Sequence, residues 1–163
     1  MKTSKNWLNQ VRAVTQATKE IEARISDDVW ARQRKWDVKR EAIFEILKAV
    51  ATLQYSLGRV GGAYAAWNEL KESSSPIERA KGELSKQDEV KRHGKHIDAF
   101  LRYKLLAVTV CGGQFVRQLD QVETRSVAIA HTIFREQQWA DAALMQPEIT
   151  KLIAIARSEL GID

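Results

Sequence analysis

At 163 residues the chain is long enough for one domain with a real core. A hydrophobic share of 44%, a charged share of 29% and only two prolines exclude a disordered or collagen-like chain and favour a helix-rich one. The formal charge of +5, from 26 basic and 21 acidic residues, permits an anionic partner without requiring one, and the single cysteine excludes an internal disulfide.

Trp7, Val11, Val14, Thr18, Ile21 and Ile25 alternate steps of four and three, so the chain is expected to open helical. Val29 then comes four residues after Ile25, where the series asks for three. Either the helix runs through Ser26-Asp27-Asp28 with changed winding, or it breaks with Ser26 or Asp27 as a new cap; a break or bend is the expectation.

From Val29 one apolar series runs Val29, Trp36, Ile43, Val50, Leu57, Tyr64, and a second runs Ile46, Leu53, Val60, Trp67. Together they form one stripe on a helix over residues 29–71, a rod of roughly 65 Å at 1.5 Å per residue. Lys71 to Pro76 is the clearest punctuation, and Ser75, Pro76 and Glu78 match a capping box with proline in the first turn. A polar connecting helix is predicted over 76–92, with Gly94 as its stop or hinge. Ile97, Leu101, Val108, Cys111, Phe115, Leu119, Val122, Ser126, Ile129 and Ile133 predict a second rod over 97–144. Pro147 and Glu148 open a last helix over 147–160, with Ile149, Leu152, Ile153, Ala156 and Leu160 on its apolar face and Gly161 at the C-terminal cap.

These elements predict an all-α fold: a single-domain, elongated antiparallel bundle of four to five helices over residues 1–163, with the two long helices as its spine. Gly58, Gly61 and Gly62 in the first rod, and Gly112 and Gly113 in the second, cost about 1 kcal/mol each in a helix interior, which suggests a close crossing of backbones there. Gly61 and Gly112 are expected to meet, and Leu at Gly62 or Gly112 to destabilise the fold. The five tryptophans, Trp7, Trp30, Trp36, Trp67 and Trp139, are spread out and read as packing anchors.

The chemistry is sparse. No Gly-rich phosphate loop and no paired Glu-x-x-His motifs are present, so no cofactor, no catalytic residue and no small-molecule substrate is assigned. His93 and His96, with Glu89 a turn earlier, are the one weak metal candidate, and solvated side chains near Gly94 are the favoured reading. Cys111 follows the apolar run Leu105–Val110, where a thiol is inert and fits a reducing compartment; a cytoplasmic protein is expected, with attachment to a membrane periphery as the alternative. Neither a signal peptide nor a transmembrane helix is predicted.

The most suggestive cluster is Arg32, Arg34, Lys35, Trp36, Lys39 and Arg40, an anion-binding patch for nucleic acid or a membrane surface, or else charges flanking a packed tryptophan. Lys91, Arg92, His93, Lys95 and His96 form a second basic cluster. Trp36-Asp37-Val38-Lys39-Arg40-Glu41 resembles the W-x-x-K-R-E opening of a group of uncharacterised bacterial helical proteins, and Ala156-Arg157-Ser158-Glu159-Leu160-Gly161-Ile162 resembles their A-R-x-E-L-G-I ending. The resemblance implies a helical bundle whose last helix packs home, and no activity. The functional expectation is a non-enzymatic interaction or scaffold protein that self-associates, as a homodimer or with a helical partner, through its long helices; the alternative is an anionic-surface binder.

Overall fold

The computed structural model describes residues 3–162, with side chains from residue 15 onward. The fold is all-α: α1 spans Thr3–Leu70, α2 Pro76–Val110, α3 Gly113–Glu136 and α4 Gln146–Glu159, with a 3-10 turn at Ala142–Met145. Packing divides the chain into two units, Met1–Val38 and Lys39–Asp163, rather than one domain over its whole length. The bundle belongs to the second unit.

Its core follows the predicted stripe. Ile43, Ile46, Val50, Leu53, Leu57 and Val60 of α1 are buried together with Phe100 and Ala107 of α2. Phe115, Leu119, Val122, Ile129 and Ile133 of α3 complete it with Met145, Ile149, Leu152 and Ala156. On α4 the expected face holds except at Ile153, which is exposed.

α1 and α2 pair antiparallel. Ser56 contacts His93, Arg59 contacts Glu89, and Trp67 lies under the Lys86 ammonium, so positions advance along one helix as they retreat along the other. The turn between them forms as predicted at Ser75, whose hydroxyl accepts the Glu78 N–H at 3.4 Å ahead of Pro76. The capping box is only half made. The Glu78 carboxylate takes the Ser73 hydroxyl instead of returning to the Ser75 N–H, which goes to Ser73 Oγ.

Three predicted boundaries are corrected. No break divides α1 at Ser26-Asp27-Asp28; Thr18 to Val29 is eleven residues in three turns, so continuous winding absorbs the extra residue. The 76–92 helix does not stop at Gly94 but runs to Val110, because Phe100 and Ala107 bury one face of it beyond that glycine. The 97–144 rod does not exist as one helix. It breaks at Cys111 and Gly112, both extended, and α3 ends at Glu136 where Gln137 turns left-handed at φ 51°. Adjacent glycines are the weakest helix formers, and the Gly112 N–H is instead taken by Glu159 Oε1 at 2.9 Å. Asn68 Nδ2 donates to the Gln137 carbonyl at 2.6 Å and fixes the second break.

The glycine crossing is corrected with them. Gly61 faces the Trp139–Ala140 segment and Ile133, not Gly112, and Gly62 faces open space. A Cβ on Gly112 would fall onto the Glu159 carboxylate, while Gly113 opens α3 beside Arg117. The close α1–α2 approach is at Gly82, where a Cβ would stand 3.1 Å from Leu70. At the far end Gly161 adopts φ 66°, with Gly161 N–H to Ser158 O and Ile162 N–H to Arg157 O closing a Schellman cap.

Candidate functional site

The first unit is a helix, and every described side chain on it from Thr15 through Trp36 is exposed. Its apolar residues nevertheless keep helical spacing. Ile21 and Ile25 are each 58% exposed and Val29 53%, four residues apart on one stripe. Thr18 and Trp36 extend the line, and Arg32 interrupts it, its Nε donating to the Asp28 carbonyl at 3.2 Å. Glu22 and Asp28 border the stripe with Arg24 and Lys35, so its edges carry both signs. The expected seam from Val29 to Trp36 is therefore not packed within this unit. The expected contributions of Trp7, Val11 and Val14 lie outside the residues whose side chains are described.

Arg32, Lys35 and Trp36 of the basic patch share one face of the helix, but Arg34 does not. Arg32 and Arg34 are two positions apart and so point to nearly opposite sides of the helix. In the second unit the Lys39 ammonium is paired with the Glu159 carboxylate and only a quarter exposed. Arg40 is also engaged. As for the other tryptophan anchors, Trp30 and Trp139 are exposed, whereas Trp67 packs under Lys86 and edge-on to Tyr64.

The bundle carries an open groove of about 650 Å³, lined on α1 by Ala51, Tyr55, Gly58 and Gly62 and closed by Ser85, Ala142 and Ala143. Arg59 and Glu89 join across it at 2.6 Å, and Arg92 adds a second cation to Glu89 at 3.2 Å. The hydrogen bond from Arg59 holds the Glu89 carboxyl below its ordinary range. Its charges thus satisfy one another, and none points at the void as an uncommitted acid or base.

His93 is not the solvated side chain expected near Gly94. It is buried, with Nδ1 2.7 Å from Ser56 Oγ and its ring against Phe134. Glu89 is turned to Arg59, so the three do not converge, and no metal-binding cluster occurs among the described residues. Burial, with repulsion from Glu159, pushes the Cys111 thiol up to about 11, which leaves it protonated near neutrality. Sequence reasoning missed the Glu159–Gly112–Lys39 clamp and the Ser56–His93 pair. Both join residues far apart in the chain, and no spacing rule exposes such contacts.

No known family, no characterised protein and no solved structure matches this chain.

Proposed function

We propose that this protein is a non-enzymatic interaction protein that self-associates through the exposed stripe of its first unit. The observation that carries the reading is Ile21, Ile25 and Val29, more than half exposed on a helix that keeps the spacing of a packed seam. Isolated helices are marginal in water, and tertiary packing of an apolar face supplies most helical stability. A second copy of the same helix supplies that packing. The borders favour a protein partner over anionic lipid: Glu22 and Asp28 beside the stripe would be repelled by lipid phosphates but can pair with Arg24 and Lys35 of a second helix. The resemblance to helical bacterial proteins supports a helical bundle and brings no activity.

The alternative, an anionic-surface binder using Arg32, Arg34, Lys35, Trp36, Lys39 and Arg40, is less well supported. Arg34 faces away from Arg32, Lys39 is committed to Glu159, and Arg40 is also engaged. Multi-angle light scattering decides the matter. The wild type is expected as a dimer at micromolar concentration and Ile21→Glu/Ile25→Glu as a monomer with an unchanged bundle; a monodisperse wild-type monomer rejects the reading.

A further inference from the structure

The C-terminal half of α2 carries a second unpartnered apolar crest, on the bundle and independent of the first. Ile97, Leu101, Leu105 and Val108 are exposed at steps of four, four and three, which places them on one line along the helix. Leu105, the most prominent, is 71% exposed. The adjoining face, with Phe100 and Ala107, is in the core, so the helix cannot rotate to hide the crest.

The charges beside this crest differ in kind from those of the first unit. Between Val90 and Val110 the sequence holds Lys91, Arg92, Lys95, Arg102 and Lys104 against one acid, Asp98. Lys104 is turned inward to Asp120 and Glu123 of α3, and Arg92 reaches Glu89. Lys91, Lys95 and Arg102 remain exposed along one shoulder of the crest, and no carboxylate among the described residues lies within ion-pair distance of them. Helical spacing puts these three within one quadrant, next to the leucines, with the exposed Asp98 as the one acid among them.

We infer that this face of α2 docks onto an anionic lipid surface, with Ile97, Leu101, Leu105 and Val108 entering the headgroup boundary and Lys91, Lys95 and Arg102 on the phosphates. An apolar crest with cations on its shoulder is the pattern of helices that lie in a membrane interface, where apolar burial and attraction to anionic headgroups add. The exposed ridge rests on a helix fixed in the core, and its cationic shoulder complements anionic headgroups. An antiparallel second copy is disfavoured here, because its two-fold contact would bring one cationic shoulder against the other. No described helix is long and apolar enough to cross a membrane, so the attachment is interfacial.

Flotation of the full chain with vesicles tests this. Wild type is expected to float with equimolar phosphatidylcholine–phosphatidylserine vesicles, to stay behind with phosphatidylcholine alone, and to dissociate as salt rises. Lys91→Glu/Lys95→Glu/Arg102→Glu and Leu101→Gln/Leu105→Gln change only exposed positions and should each weaken flotation roughly tenfold or more. Ile21→Glu/Ile25→Glu should float like wild type, which separates this inference from self-association. It is overturned if wild type does not float, if neither α2 variant weakens flotation, if the Ile21/Ile25 variant alone abolishes it, or if the protein is retained by polyglutamate or DNA without floating.

Discussion

His93 Nδ1 and Ser56 Oγ meet at 2.7 Å between α1 and α2, with both side chains out of water. The Ser56 hydroxyl also reaches the Leu53 carbonyl at 2.9 Å, an arrangement in which Nδ1–H donates to Ser56 Oγ.

The burial of His93 gives the bundle an acid sensitivity above the carboxylate range. Burial first, and the neighbouring His96 second, hold the His93 pKa below its ordinary 6.5. The unfolded chain therefore takes up this proton at a higher pH than the folded one. The stabilisation is complete above about 6.5 and is lost as pH falls from there through the lower folded value. Thermal melts followed by circular dichroism should show a falling Tm between about pH 7 and 5. His93→Gln should be less stable at pH 7 and should flatten that slope; an unchanged slope refutes the assignment.

A second clamp acts at the α2–α3 break. Glu159 Oε1 accepts the Gly112 N–H at 2.9 Å while the same carboxylate pairs with Lys39, and its side chain is only 14% exposed. Removing one partner of such an arrangement leaves the others unsatisfied, at about 1–3 kcal/mol. Glu159→Ala is expected to lower stability by that amount in urea unfolding, and Lys39→Met by less, since the Gly112 contact survives. Cys111 should stay slow toward thiol reagents at neutral pH in wild type and become only moderately faster in Glu159→Gln, because burial rather than Glu159 is the main cause of its raised pKa.

The elements that could be read in advance are those governed by local repetition. The buried faces of α1 and α3 fall on the predicted residues, and Ser75, Pro147 and Gly161 punctuate where their backbone chemistry requires. The errors are of two kinds. Helical periodicity continues across Cys111–Gly112 and beyond Glu136, so the pattern alone merged α2, α3 and the following segment into one rod. The signals that separate them are tertiary: a carboxylate from α4, and Asn68 of α1 holding Gln137 left-handed. Burial was also overread. A seam at Val29 and Trp36 has the same spacing as one at Ile43 and Val50, and only the presence of a packing helix distinguishes them. Of the basic cluster, Arg32, Lys35 and Trp36 keep one-face spacing, while Arg34 lies on the other side of the helix.

The glycines of α1 and α2 should separate by what surrounds them. Gly62 has open space where a Cβ would go, so Gly62→Ala should stabilise by up to about 1 kcal/mol through helix propensity alone, contrary to the close-crossing expectation. Gly82 lies against Leu70, and Gly61 has the Ala140 carbonyl 3.3 Å from its Cβ position. Gly82→Leu and Gly61→Leu should each destabilise by about 1–3 kcal/mol. Urea midpoints for the three variants measure the ordering, and a Gly62→Ala protein less stable than wild type breaks it.

Self-association through Ile21, Ile25 and Val29 has a spectroscopic consequence besides mass. The first unit has no described side chain buried between Thr15 and Trp36, so within one chain its helix rests on propensity and on i,i+4 ties such as Gln16–Glu20 at 3.0 Å. Such ties contribute only about 0.2–0.5 kcal/mol each. Covering three half-exposed aliphatic residues contributes more, on the order of 1 kcal/mol apiece per copy. Helix content in this unit should therefore depend on protein concentration. Ellipticity at 222 nm per residue is expected to weaken on dilution through the dimer dissociation range. Ile21→Glu/Ile25→Glu should show the diluted ellipticity at every concentration. A wild-type ellipticity independent of concentration, with light scattering still reporting a dimer, would move the interface away from this stripe.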